Sequence, residues 1–342
     1  MAEPLLEVKG LKVRFATEDG VVRAVDGVDF QLERGKVLGI VGESGSGKSV
    51  TAMTLLGLTR GQNAAFEGEV IYKGQNLLTM PESGLRDVRG DEIAMIFQDP
   101  MTSLNPVYRI GVQIVEAIVE HESISKKQAR RRAIDLLKQV GIPNAAERID
   151  TYPHELSGGM RQRVMIALAL SCNPDIVIAD EPTTALDVTI QAQILALLDN
   201  LRAEFDSAVI LITHDLGVVA SIAHDILVMY AGRVVEAGPK RELFYDPQMP
   251  YTWGLLGSIP RLDRPKQEKL HSITGSPPSL INAPRGCKFR PRCPHVFDRC
   301  IEEPELVNRV EAPDHLDRCW LSLDDKRRLR GETIAPAEAS IA

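Results

Sequence analysis

Gly42, Glu43, Ser44, Gly45, Ser46, Gly47, Lys48 and Ser49 spell a G-x-x-x-x-G-K-S loop. The apolar run at residues 36–41 precedes it and reads as a buried strand, and residues 50–58 follow it and read as a helix. This setting is what phosphate chemistry needs. The glycines let the backbone wrap around a polyphosphate with its N–H groups inward, and the helix adds the positive end of its dipole. Lys48 is expected to neutralise the β- and γ-phosphates and the Ser49 hydroxyl to ligate Mg²⁺. A plain glycine turn between strand and helix is the alternative. The complete motif in its strand–helix setting favours a site for ATP or GTP.

At 342 residues and 44% apolar composition the chain has room for about two domains. A net charge of −7 argues against a general attraction to nucleic acid or acidic lipid. The first residues lack the basic and long apolar stretches of a secretory signal. The sequence has no apolar run of about 18 residues, so the chain reads as soluble and as reaching a membrane only through a partner. Four of the five cysteines crowd into residues 287–319, which in a cytosolic chain favours metal over disulfide.

The segment up to about residue 35 alternates apolar and polar residues around a turn at Glu18, Asp19 and Gly20, which predicts antiparallel strands. Continuous apolar runs at 93–97, 176–179 and 209–213 predict strands covered on both faces, hence a mainly parallel α/β sheet with helices on both sides. Between about 100 and 165 the period becomes helical, clearest at 111–121 and 126–140. The second of these carries Ala133, Ile134, Leu137 and Val140 on one face, and its five basic residues read as a solvated face. Residues 1–245 thus form one domain. Residues 246–320 are proline-rich and predict an irregular extension outside the sheet, poor in large apolar residues and dependent on its cysteines for order. Residues 321–342 predict a frayed helix or a disordered tail.

An apolar strand ends in Asp180 and Glu181. Asp180 is placed to hold the Mg²⁺ shell and Glu181 to polarise the attacking water, although a surface acid pair would look the same. Leu156-Ser-Gly-Gly-Met160-Arg-Gln-Arg163 puts Ser157, Gly158 and Gly159 at a helix start, a second anion site in a chain that already has its own phosphate loop. A surplus site makes sense if it serves the nucleotide of a second subunit.

At this point the sequence resembles an ATP-binding-cassette (ABC) ATPase, whose signature motif this is, with Met160 where the family usually has glutamine. The resemblance implies a P-loop cassette with a core of mainly parallel sheet, an antiparallel β subdomain and an α-helical subdomain, and two such cassettes sandwiching two ATP molecules head to tail. It implies that Gln98 is the Q-loop residue, reaching Mg²⁺ or the water, and that His214 is the switch histidine at the γ-phosphate. Ala185, Leu186 and Asp187 match the D-loop, and Phe15 matches the aromatic that stacks on adenine, though a core phenylalanine would look alike.

Residues 98–106, and the stretch from Gly286 to Pro294 with Cys300 beyond it, are similar to the oligopeptide/dipeptide/nickel permease ATPases, a likeness that runs to about residue 320. It implies a peripheral subunit on the cytoplasmic face of the plasma membrane. Its expected partners are a second, related cassette subunit, two transmembrane permease subunits and an extracytoplasmic substrate-binding protein. The implied cargo is di- or oligopeptides; nickel or another small solute is the alternative, and a soluble cassette protein acting on nucleic acid or ribosomes is the rival class.

Cys287, Cys293, Cys300 and Cys319 have five, six and eighteen intervening residues, with no close C-x₂₋₄-C pair of the zinc-knuckle kind. Four thiolates on a four-iron, four-sulfur (4Fe–4S) cluster are the better reading, supported by the resemblance; Zn²⁺ and free thiols stay open, and His295 could replace one ligand. Their distance in sequence from the ATP motifs suggests no part in hydrolysis. Cys172 reads as a small buried residue.

Overall fold

The computed structural model describes residues 3–99, 103–184, 186–259 and 273–333. The chain folds into two compact units, the first built mainly from residues 72–212 together with 32–37, the second from residues 7–31, 38–71 and 213 onward.

In the first unit three parallel strands lie side by side: Ile93–Ile96, Ile176–Asp180 and Ala208–Thr213, with Ile93 opposite Ile176 and Ile176 opposite Ala208. The two longer strands are buried at every position, the reason their sequences are uninterrupted apolar runs rather than alternating ones. Helices Ile110–His121, Lys126–Gln139, Gly158–Ala169 and Val188–Phe205 belong to the same unit. Helix Lys126–Gln139 starts at a capping box between Ser125 and Gln128 and buries Ala129, Ala133, Leu136 and Leu137. Of its five basic residues Lys126, Lys127 and Arg131 are exposed, while Arg130 and Arg132 are partly covered and paired to Asp150 and Glu122.

In the second unit, Leu38–Val41 runs parallel to Asp225–Tyr230, which continues antiparallel through Arg233–Pro239 to Leu316–Asp317 and Val307–Asn308. Strand Leu6–Thr17 lies between Gly20–Leu32 and Ala64–Tyr72 in a separate sheet, the antiparallel layer that the N-terminal alternation predicts.

The extension differs from the sequence expectation in two ways. It is not wholly outside the sheet, because two of its two-residue strands extend the sheet edge beyond Arg233–Pro239. Nor is it without apolar anchors: helix Pro250–Gly257, with proline in its first turn, fully buries Tyr251 and Trp253, and Phe289 is buried further on. A fully buried carboxylate explains the docking. Glu236 accepts hydrogen bonds from the backbone N–H groups of Gln248 and Met249 just ahead of that helix, and its Oε1 lies 2.8 Å from His315 Nε2. The tail forms helix Leu323–Thr333, whose Lys326 reaches Asp317 with both side chains buried. Residues 334–342 lie outside the described residues.

Candidate functional site

The phosphate loop belongs to the second unit. Helix Lys48–Leu55 begins directly after it, with Gly47 at φ 101°, a left-handed conformation that only glycine adopts freely. A Cβ at Gly47 would sit 2.4 Å from the Ala24 carbonyl oxygen, so the position has neither torsional nor steric room for a side chain. Lys48 is nearly buried, and its ammonium donates to the carbonyls of Gly42 (2.8 Å) and Glu43 (3.0 Å), which curls the loop around its lysine. Ser44 and Gly45 are exposed, Ser46 is buried and Ser49 is half-buried. His214 follows strand Ala208–Thr213 and is exposed, just before Asp215 caps the next helix by accepting from the Gly217 N–H. Phe15, near the end of its strand, is partly exposed where Leu11 and Val13 on the same face are buried.

The acid pair belongs to the first unit. Asp180 ends its strand buried, and Glu181 turns out of it at φ 47°, left-handed for a residue that has a Cβ, its N–H donating to the Ile212 carbonyl at 2.8 Å. The Gln98 amide donates to Glu181 Oε2 at 3.0 Å and the Thr184 hydroxyl to the same oxygen at 2.8 Å. Sequence reasoning found Gln98 and Glu181 but not Thr184, which sits in an ordinary-looking turn. Ser157 caps helix Gly158–Ala169, accepting from the Met160 N–H at 3.4 Å; it is exposed, as is Gly158, whose added Cβ would meet no described atom within 4 Å. Asp187 caps Val188–Phe205 through the Ile190 N–H at 3.0 Å. Ala185 and residues 100–102 lie outside the described residues.

Cys287, Cys293, Cys300 and Cys319 all line one pocket in the second unit, with His295, Phe289 and Trp320 beside them. Gly286, at φ 70°, makes this possible. A Cβ there would lie 2.3 Å from the Ile301 carbonyl oxygen, and the close approach it permits lets the Cys287 N–H donate to the Cys300 carbonyl. Burial pushes the Cys293 and Cys319 thiols up to about 12 and raises Cys287 as well, so without a positive partner these groups stay protonated. Among the described residues no group of three or more His, Cys, Asp or Glu side chains is arranged to hold a metal ion. Cys172 is buried, as read.

The cysteine-bearing segment, distant in sequence from the ATP motifs, touches one of them. Arg292, between Cys287 and Cys293, forms a two-bonded ion pair with Glu43 of the phosphate loop, Nη1 to Oε2 at 2.5 Å and Nη2 to Oε1 at 3.0 Å. The partners are 249 residues apart in the chain, and no sequence motif announces the contact.

A family profile for ABC transporters matches residues 25–184, and a profile for the C-terminal region of oligopeptide/dipeptide transporters matches residues 235–300. The oligopeptide transport ATP-binding protein of Salmonella typhimurium is 51% identical over 324 residues, 95% of this chain and 96% of that protein. The dipeptide transport ATP-binding protein of Lactococcus lactis is 52% identical over 341 residues, 99% of this chain and 96% of that protein. Among solved structures, a dimeric ATP-binding cassette in a post-hydrolysis state with ADP and phosphate aligns with a TM-score of 0.62 at 28% identity, covering 69% of this chain and 99% of that one. The fold and motifs are those of an ABC ATPase. Within that class, the chain belongs to the family of oligopeptide and dipeptide transport ATP-binding proteins.

Proposed function

We propose that this chain is the ATP-hydrolysing subunit of an importer that couples ATP binding and hydrolysis to the uptake of di- or oligopeptides through membrane permease subunits. The observation that carries this is half identity, across nearly the full length of both chains, to proteins named for oligopeptide and dipeptide transport. Among the described residues no helix is long and apolar enough to cross a membrane, which agrees with a peripheral subunit at the cytoplasmic membrane face that works with permeases, a related second cassette and an extracytoplasmic binding protein.

In this reading Lys48 and the loop N–H groups grip the phosphates, Glu181 takes the proton of the attacking water, Gln98 and His214 report the γ-phosphate, and Phe15 stacks on adenine. Ser49, Gln98 and Asp180 offer a hydroxyl, an amide oxygen and a carboxylate, an all-oxygen donor set suited to a hard ion; Mg²⁺ there would offset the charge of the phosphates. Ser157, Gly158, Gly159 and Asp187 serve the nucleotide of the partner cassette. Lys48→Ala is expected to abolish ATP binding by the purified chain, and peptide uptake should stop in cells carrying it. Unchanged nucleotide affinity would overturn the phosphate-loop assignment.

The same reading gives the four-cysteine pocket a 4Fe–4S cluster. What supports this is that the four thiols line the wall of one pocket and that their spacing lacks the close pairs of a zinc knuckle. Such a group would supply metal–thiolate bonds that order the segment. Anaerobically purified protein should carry about four irons and four sulfides per chain, and Cys293→Ser should bleach it. One zinc per colourless chain would replace the assignment.

A further inference from the structure

Glu43 places a carboxylate inside a loop whose proposed task is to bind a polyanion, and an uncompensated acid there would repel the phosphates. The structure compensates it from the cysteine-bearing segment. Arg292 meets both carboxylate oxygens, and its side chain is only 5% exposed, against 27% for Glu43. The guanidinium is held elsewhere too: Nε donates to the Thr274 carbonyl at 2.9 Å, Nη2 to the Ile273 carbonyl at 3.3 Å and Nη1 to the Tyr230 hydroxyl at 3.4 Å. A planar fork held on its other edge by two backbone carbonyls has one orientation available, and that orientation faces Glu43.

The backbone of Glu43 is pinned as well. Its N–H donates to the Tyr251 hydroxyl at 2.8 Å, and its carbonyl receives Lys48. Tyr251, Tyr230 and Phe289 pack against one another with ring centroids 4.6–5.4 Å apart, and Phe289 immediately precedes the short turn Arg290–Arg292. One rigid cluster therefore joins the second residue of the phosphate loop to the segment between Cys287 and Cys293.

We propose that Arg292 is a positioning residue for nucleotide binding: held by the cysteine-bearing segment, it cancels the charge of Glu43 and fixes the geometry of the phosphate loop. This rests on the reading of that loop as an ATP site. Because coupling between two sites is reciprocal, ATP in the loop must in turn steady the cysteine-bearing segment.

The test uses the full-length chain titrated with a fluorescent ATP analogue and Mg²⁺. Arg292→Gln is expected to raise Kd about tenfold, Arg292→Lys to recover part of that loss by keeping the charge without the fork, and Arg292→Gln on a Glu43→Gln background to change Kd less than about twofold. Hydrogen exchange at residues 286–301 should slow when ATP binds wild type and should not slow in Arg292→Gln. The same fold-change in both backgrounds would reduce Arg292 to a general structural role and overturn the proposal, as would an unchanged Kd. If Arg292→Gln does not fold, Arg292→Lys in the two backgrounds supplies the same comparison. Wild-type protein that fails to bind the analogue, or Lys48→Ala that binds it normally, would instead overturn the ATP reading itself.

Discussion

Gln98, Thr184 and Ile212 all hold Glu181, and two of them point at one carboxylate oxygen. Gln98 and Thr184 both donate to Oε2, while the left-handed backbone and the bond to Ile212 fix where the side chain leaves the strand. As the base proposed for the attacking water, Glu181 would need its proton affinity, not only its shape. Glu181→Gln keeps the shape and loses the affinity, so ATP should still bind while hydrolysis slows by about 10²–10⁴-fold. Thr184→Val removes one charge-assisted hydrogen bond and should lower kcat by about tenfold with little change in ATP affinity. Steady-state hydrolysis beside equilibrium binding separates the two quantities, and wild-type turnover by Glu181→Gln would assign the base elsewhere. Glu181 was legible in the sequence because it follows an apolar run that fixes it at a strand end, whereas Gln98 stood out only through the family resemblance, a glutamine after a strand being unremarkable by itself. Thr184 was not legible, since a turn threonine shows its role only once the carboxylate it faces is placed.

Among elements, the strand leading to Asp180 is anchored at its other end. Asp175, the residue before that strand, takes Arg34 on Oδ1 at 2.6 Å and both the Tyr72 hydroxyl and Lys73 on Oδ2 at 2.7 Å. Burial alone would raise this carboxyl, but the bonds from Lys73, Tyr72 and Arg34 outweigh it and bring the group down to about 2. A folded-state value below the unfolded one near 3.9 means that the stabilisation is complete above about pH 4 and is lost as pH falls toward 2. Asp175→Asn should therefore destabilise the chain by about 1 kcal/mol at neutral pH, and the gap to wild type should narrow in urea melts repeated below pH 4. A gap that stayed constant with pH would rule out the charge as its source. The long strands were legible from their uninterrupted apolar runs. Val307–Asn308 and Leu316–Asp317 were not, because two residues carry no period and their pairing accompanies contacts such as that between His315 and Glu236, 79 residues apart in the chain.

At the scale of the molecule, one chain carries one phosphate loop and one signature helix, and among the described residues that helix begins at exposed positions. Ser157 and Gly158 are exposed, and the space a side chain at Gly158 would occupy holds no described atom. Exposed N–H groups at the start of a twelve-residue helix suit a phosphate, yet the chain already carries a loop for its own. The proposal that this signature serves the nucleotide of a partner cassette rests on that surplus. Ser157→Arg is the discriminating change, because the added side chain fills the space where the partner's γ-phosphate would approach while leaving residues 42–49 untouched. The isolated chain should bind ATP within about twofold of wild type, and the assembled transporter should lose hydrolysis by about tenfold or more. An equal loss of ATP binding by the isolated chain would place the motif at its own nucleotide instead. Undiminished hydrolysis in the complex would remove the signature from the chemistry altogether.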